Sequence, residues 1–142
     1  MANLIAGTKP RDGVQYDIWE GRYYGGDTYF HFKTNIPLDY TMCMIEAVGY
    51  SYGANQAIRA AWCFYTYAPA NNVIQVGIQN YYGGLSADRV YLSSDGYAVV
   101  VANCASYFSG WTLNAYTQNP TGYNYNVQIT AVAQLSSNAN YY

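Results

Sequence analysis

The chain has 142 residues, which is enough for one domain with a core of its own. Only 10% of the residues are charged, whereas 18% are aromatic and 19 are tyrosine, so tyrosine and amide side chains take the place of charge on the surface. The net charge is −2 and the six basic residues are scattered, so we expect no nucleic-acid partner.

Residues 1–28 differ in character from the rest of the chain. Nine charged residues lie within residues 1–39, and the stretch GTKPRDGVQYDIWEG contains Pro and Gly but no long periodic run. This composition predicts an N-terminal anchoring arm at 1–28, followed by a head domain at 29–142. The apolar stretch at 4–6 is too short for a signal peptide, so we expect synthesis and folding in a cytoplasm. No window is apolar enough for a membrane span.

From residue 27 onward, apolar residues recur with a period of two rather than 3.6. In TMCMIEAVGYSY the even-numbered residues share one face and the odd-numbered residues the other, which predicts a strand that is covered on both sides. Runs of this kind, each bounded by Gly, Pro, Asn or Asp, predict eight strands at 27–35, 41–52, 60–68, 72–82, 89–94, 97–104, 110–118 and 125–135.

The short spacing of these strands predicts an all-β fold, an antiparallel β-sandwich or jelly-roll-like head domain with an extended N-terminal arm. Asp95 and Gly96 predict a two-residue type I′ hairpin turn. The stretch 54–65 leaves open one or two turns of helix.

The residue types that carry catalysis are sparse in this sequence. GYSYG at 49–53 matches the Gly-x-Ser-x-Gly pattern around a nucleophilic serine, but the only histidine, His31, precedes Ser51, whereas hydrolases of that kind place it later. We therefore predict a strand end and a glycine turn at Ser51, and a packed, hydrogen-bonded His31. Glu46 lies in an apolar strand with Arg59 on the next strand, which predicts a structural ion pair. No enzymatic activity is expected.

No metal or cofactor is expected from the sequence. The three cysteines, Cys43, Cys63 and Cys104, are far apart, which favours buried thiols over a metal site or a disulfide framework. The His-x-His spacing of a metal site shared between chains is absent. A metal bound by His31 from each of three chains on a symmetry axis stays open as an alternative.

The surface itself suggests a binding role. No charged residue follows Asp95, and a surface of amides, hydroxyls and phenols associates readily, which predicts a homotrimer with an interface at 97–103 and 127–135. Loops are predicted at 80–88 and 117–126. The candidate rings for stacking on a glycan are Tyr81, Tyr82, Trp111, Tyr116, Tyr123 and Tyr125.

Three stretches carry a family resemblance: YFHFKTNIP, MCMIEAVGYSYG and WTLNAYTQNPTGYNYNVQIT. Over residues 29–135 the chain resembles the C-terminal head domain of tail-fibre-like virion proteins of tailed bacteriophages. The resemblance implies a small β-rich domain that trimerises at an exposed position on the particle. No shaft precedes the head, so the protein could be a short spike, a head fibre or a capsid-decoration protein. In each case we expect residues 1–28 to attach it to other virion proteins. The alternative function is a free carbohydrate-binding, lectin-like module.

Overall fold

The computed structural model describes residues 14–119 and 126–142, without the side chain of Tyr82. This part of the chain contains one 3-10 turn, Ala68–Ala70, and no helix of the length and apolarity that crossing a membrane requires. Its strands are β1 (Val14–Tyr23), β2 (Thr28–Pro37), β3 (Tyr40–Ser51), β4 (Gln56–Tyr67), β5 (Asn72–Tyr82), β6 (Leu85–Leu92), β7 (Tyr97–Cys104), β8 (Ser109–Gln118) and β9 (Ile129–Leu135).

The strands form two antiparallel sheets that pack face to face, so the predicted all-β sandwich is confirmed. The five-stranded sheet has the order β1-β8-β3-β4-β5, and the four-stranded sheet has the order β6-β7-β2-β9. The nested pairs β1·β8 and β2·β7 are those of a jelly roll, whereas the consecutive hairpins β3-β4-β5 within one sheet depart from that topology.

The core lies between the two sheets and consists of every second residue of each strand. Phe32 and Val100 from the four-stranded sheet and Ile45, Trp62 and Leu113 from the five-stranded sheet are fully buried there. The indole N–H of Trp62 donates to the backbone carbonyl of Val101 at 2.9 Å, so a hydrogen bond joins the two sheets inside the apolar layer. This bond satisfies the one polar atom that a buried tryptophan carries.

Strand β1 corrects the predicted arm. Residues 14–23 lie inside the predicted 1–28 segment, yet they form an edge strand that pairs with β8. A bulge between Gln15 and Trp19, with Asp17 at φ 57°, lets the consecutive residues Ile18 and Trp19 both pack against the core. The bulge breaks the period of two, which is why the sequence pattern does not predict this strand. Residues 1–13 lie outside the described residues.

The structure decides one open alternative and corrects one further prediction. The stretch 54–65, for which helical turns were an alternative, forms a turn and then the first ten residues of strand β4. The predicted loop at 80–88 is instead a sharp corner at Gly83 and Gly84, between β5 of one sheet and β6 of the other. Gly83 has a φ of 104°, and a Cβ there would lie 2.8 Å from the Cα of Ile58, so glycine makes the corner possible.

The hairpin between β6 and β7 is confirmed, but its turn is not type I′. Ser93 and Tyr97 are hydrogen-bonded across a three-residue loop, and the Gly96 N–H donates to the Ser93 carbonyl at 3.0 Å. Only Gly96 in this loop has a positive φ, as in a type I turn followed by a bulge. Asp95 accepts hydrogen bonds from Ser93 Oγ at 2.6 Å and Lys33 Nζ at 2.7 Å, and these contacts lower its pKa, with the Lys33 bond contributing most.

The C-terminal residues 136–142, called here the C-terminal strap, cross the outer face of the four-stranded sheet. Beneath the strap lies a second apolar cluster of Tyr91, Val99 and Val101, against which Tyr29 and Tyr142 pack. Strand β7 is therefore buried on both faces, and Val99 and Val101 are 0% exposed in a single chain. The residues at 98–102, within the predicted trimer interface at 97–103, are therefore covered by the protein's own residues, and the interface itself stays a prediction.

Candidate functional site

One end of the sandwich carries four exposed aromatic rings, called here the aromatic end: Tyr24, Tyr52, Tyr107 and Phe108. The loops β1–β2, β3–β4 and β7–β8 supply them. Two backbone hydrogen bonds of 2.9 Å, from Tyr52 N–H to the Phe108 carbonyl and from Gly53 N–H to the Tyr107 carbonyl, tie the last two loops together. The rings of Tyr52, Tyr107 and Phe108 are therefore held by paired backbone rather than by a free loop.

The rings of the aromatic end contact one another. Tyr24 and Phe108 are stacked, with centroids 4.7 Å apart and ring planes 11° from parallel. Tyr52 lies 6.5 Å from Tyr107 and 6.2 Å from Phe108, and the Arg22 guanidinium lies 5.9 Å from the Tyr24 centroid. Phe108 has a φ of 54°, a left-handed conformation that is uncommon for a bulky side chain. Such strain persists where surrounding structure imposes it, and it concentrates at ligand-binding sites.

A groove of about 490 Å³ adjoins the aromatic end on the outer face of the five-stranded sheet. We call it the Phe108 groove; its lining residues are Glu20, Gly21, Arg22, Val48, Gly49, Phe108, Gly110, Trp111 and Thr112. Glu20 pairs with Thr112 across β1 and β8, and Arg22 pairs with Gly110, so an acid, a base and a hydroxyl lie side by side. Among the described residues, neither Glu20 nor Arg22 forms an ion pair within 4.0 Å.

A second groove of about 490 Å³ lies nearer the middle of the same sheet face, lined by Met44, Glu46, Arg59, Ala60, Ala61, Gln79 and Tyr81. Glu46 and Arg59 both line it, but within the described part of the chain they form no ion pair. Glu46 instead accepts a hydrogen bond of 3.2 Å from Asn114 Nδ2 on β8. The predicted Glu46–Arg59 ion pair is therefore wrong, because a neighbouring amide on β8 satisfies the carboxylate.

The predicted stacking rings that the structure describes, Tyr81, Trp111 and Tyr116, do not form one site. Trp111 is 4% exposed and packs in the core against Trp19 and Phe30, so its prediction as an exposed platform is wrong. Tyr81 is exposed at the end of β5, and its hydroxyl donates to Gln79 at 3.0 Å. Tyr116 is half-buried on β8 and donates to Gln118. Tyr123, Tyr125 and the side chain of Tyr82 lie outside the described residues.

The structure confirms the predicted roles of His31 and Ser51. His31 is fully buried under the C-terminal strap, with Nδ1 3.0 Å from the Tyr91 hydroxyl and Nε2 3.0 Å from the Ser137 carbonyl. Because a carbonyl only accepts, Nε2 carries the proton and Nδ1 accepts from Tyr91. Ser51 is buried at the end of β3, where its Oγ accepts from Ser109 Oγ at 3.1 Å, and a turn follows it.

All three cysteines are free thiols, with Cys43 and Cys104 buried and Cys63 partly buried. Burial raises the pKa of the Cys43 and Cys104 thiols well above the ordinary value, which keeps both sulfurs protonated and unreactive. In the parts of the chain that the structure describes, no three His, Cys, Asp or Glu side chains are grouped closely enough to hold a metal ion.

Sequence reasoning missed the aromatic end altogether. Tyr24 stands in the stretch interpreted as an arm, Tyr52 belongs to the GYSYG match, and Tyr107 and Phe108 fall between two predicted strands. The stretch SYFSG could have indicated exposed aromatic rings. Adjacent residues of an extended chain point to opposite sides, so two neighbouring large aromatics cannot both face the core and one of them must be exposed. The strand order brings the three loops together, and local sequence patterns do not predict strand order.

No protein-family model matches this chain, and comparison with curated proteins and with solved structures finds no match either.

Proposed function

We propose that the protein is a structural subunit of a bacteriophage particle surface, a β-sandwich head that assembles into a homotrimer. The observation that carries the proposal is an uncharged, partly exposed patch on the outer face of the five-stranded sheet. We call it the Met–Tyr face; it consists of Tyr40, Met42, Met44, Tyr65, Tyr67 and Tyr116. It lies at the opposite end of the sheet from the aromatic end.

The Met–Tyr face has the composition of a protein interface. Tyr40 and Met42 are more than 40% exposed. The Tyr67 ring lies edge-on to Tyr40, with centroids 5.9 Å apart, and is tilted by 36° against Tyr65, with centroids 6.0 Å apart. Tyrosine and methionine are enriched at protein interfaces, and the thioether adapts its shape to a partner. A contiguous patch of such residues marks an interaction site more often than a free surface.

The virion setting of the proposal is supported by the resemblance of residues 29–135 to phage head domains. Strand β1 begins at Val14, which pairs with Tyr116 of the Met–Tyr face. Residues 1–13 therefore join the sandwich at the proposed assembly end, which suits a segment that anchors the subunit to a larger particle. On this view the aromatic end is directed away from the particle.

Light scattering on the purified chain tests the assembly. We expect a mass three times that of one chain at micromolar concentration, and a stable monomer would contradict the proposal. Met42→Lys introduces a charge into the Met–Tyr face and should dissociate the trimer without unfolding it, since Met42 is 47% exposed.

Val132→Lys is the matched control, because Val132 is similarly exposed, at 40%, on the edge strand β9 of the other sheet. It also tests the remaining part of the sequence-predicted interface, residues 127–135. If Val132→Lys dissociates the oligomer and Met42→Lys does not, assembly occurs through β9 and the Met–Tyr face is the wrong surface.

A free carbohydrate-binding module is the second candidate function, and the aromatic end favours it. Exposed rings on paired loops beside a groove are a common platform for a sugar ring. This function requires no anchoring segment, so a monomer that binds saccharide would favour it over the virion subunit.

A further inference from the structure

We propose that the Phe108 groove binds a neutral saccharide, with Phe108 as the stacking ring and Glu20, Arg22 and Thr112 as hydrogen-bonding partners. These residues are different from the rings that the sequence suggested. The inference is independent of the assembly proposed above, because the groove lies at the other end of the sheet from the Met–Tyr face.

Two contacts hold the Phe108 ring in place at the wall of the groove. Phe108 is 39% exposed and lines the groove, while stacking at 4.7 Å on Tyr24 holds it in place. The hydrogen bond between the Tyr52 N–H and the Phe108 carbonyl fixes its backbone in the left-handed conformation. Tyr24 covers one face of this ring, so the opposite face would receive the C–H groups of a pyranose, and a ring that is already fixed loses little entropy on binding.

The polar side of the groove matches the hydroxyl groups of a sugar. Glu20 supplies two acceptor oxygens, Arg22 supplies donors, and the Thr112 hydroxyl does both. One acid beside one base makes the groove electrically neutral overall, which favours a ligand with many hydroxyl groups and no net charge. An anionic ligand would meet the repulsion of Glu20 as well as the attraction of Arg22.

The floor of the groove is backbone. The lining includes Gly21, Gly49 and Gly110 from the neighbouring strands β1, β3 and β8. Gly110 pairs with Arg22 and Tyr50 on the outer face and carries no side chain to fill the space, and a Cβ there would meet no atom closer than 3.7 Å. A ligand can therefore lie directly against the sheet between the Phe108 ring and the polar side chains. At about 490 Å³ the groove falls within the size range of small-molecule sites.

The experiment is a titration of the full-length protein, isotope-labelled for NMR, with glucose, galactose, mannose and N-acetylglucosamine. We expect at least one of these sugars to shift the amide signals of Arg22, Phe108 and Thr112, with a dissociation constant of about 1 mM for a single site. Several such sites on one assembly would bind a multivalent ligand more tightly. Phe108→Gly should weaken this binding about five- to tenfold through loss of the ring contact. Because glycine tolerates the φ of 54°, this variant removes the ring without backbone strain.

Tyr81→Ala is the matched control. It removes a 58% exposed tyrosine that lines the second groove and not the Phe108 groove, so saccharide binding should be unchanged. The proposal is overturned if none of the four sugars shifts these signals at 50-fold the expected constant, or if Phe108→Gly binds as well as the unaltered protein. It is also overturned if Phe108→Gly lowers the oligomer mass, since the aromatic end would then be a protein interface. None of these outcomes depends on whether Met42→Lys dissociates the trimer.

Discussion

The Tyr91 hydroxyl shows how one polar atom holds a whole segment in place. It donates to His31 Nδ1 at 3.0 Å and accepts from the backbone N–H groups of Tyr141 at 3.1 Å and Tyr142 at 3.3 Å. His31 in turn donates from Nε2 to the Ser137 carbonyl. Both ends of the C-terminal strap are therefore bound to one buried pair of side chains, and the strap covers Val99 and Val101.

Tyr91→Phe should loosen the C-terminal strap. The change leaves His31 Nδ1 without its donor inside the protein and deprives two backbone N–H groups of their acceptor, so we expect the free energy of unfolding to fall by about 1–3 kcal/mol. Urea denaturation measures this change, and carboxypeptidase should remove the terminal tyrosines faster from the variant. Tyr50→Phe, which loses only an exposed 3.4 Å contact with Asn55, should change stability by less than about 0.5 kcal/mol. Equal stability of the two variants would show that the strap does not depend on Tyr91.

Residue-level prediction from the sequence succeeded for His31 and failed for Trp111, and the difference has a physical reason. Alternation along a strand places a residue on one of two faces, and His31 is flanked by Phe30 and Phe32 that mark the opposite face as core. For Trp111, alternation along β8 assigns one of two faces but does not show which residues cover that face. Its burial depends on Trp19 and Phe30, which are distant in the sequence and approach only in the assembled sandwich.

At the scale of elements, Gly49 fixes the distance between β3 and β8. A Cβ on Gly49 would meet the backbone of β8, lying 2.7 Å from the Cα of Trp111 and 2.9 Å from the carbonyl carbon of Gly110. Backbone atoms cannot move aside as a flexible side chain can. The close approach of these two strands also forms the floor of the Phe108 groove, so the same glycine serves packing and shape.

Gly49→Ala should therefore destabilise the sandwich. The two strands must separate locally to admit the methyl group, and we expect the free energy of unfolding to fall by about 1–3 kcal/mol, as for other overpacked sites. Gly26→Ala is the matched control, because a Cβ there meets nothing within 4 Å, and its effect should stay within about 0.5 kcal/mol of zero. Thermal and urea unfolding provide the comparison. An unchanged free energy of unfolding for Gly49→Ala would contradict this prediction, because it would mean that β3 and β8 can separate locally without loss of stability.

Elements with an uninterrupted period of two were predictable from the sequence, and those that depend on a long-range contact were not. Strand β3 alternates over its whole length and lies within one residue of its predicted bounds. Strand β1 carries a bulge at Asp17, whose N–H donates to Asn114 on β8 at 3.0 Å, so its shape is set by a partner 97 residues away. Strand β6 begins four residues earlier than predicted because Asn80 bonds both backbone groups of Ala87 and extends the pairing.

The whole molecule has two distinct ends, which lie about 30 Å apart along a strand of ten residues. The Met–Tyr face and the start of β1 occupy one end, and the aromatic end with the Phe108 groove occupies the other. An assembly contact and a ligand contact can therefore be made at the same time without competing for surface. This separation is what a subunit that is anchored at one end and exposed at the other requires.

Deletion of N-terminal residues tests this division. Removal of residues 1–13 should leave the head folded and oligomeric, because every described contact of the sandwich is retained, while attachment to a larger particle is lost. Removal of residues 1–28 should instead prevent folding, since it takes away β1 with Ile18, Trp19 and Tyr23, all packed against the core. Loss of a fully buried tryptophan side chain costs about 3–5 kcal/mol, and here three partly buried side chains and the pairing of a whole strand are lost, against a total stability of about 5–15 kcal/mol for a typical domain. Circular dichroism melting of the two truncated chains beside the full chain makes the comparison. If the chain without residues 1–28 melts as cooperatively and at the same temperature as the full chain, β1 is dispensable and the longer arm is the correct interpretation.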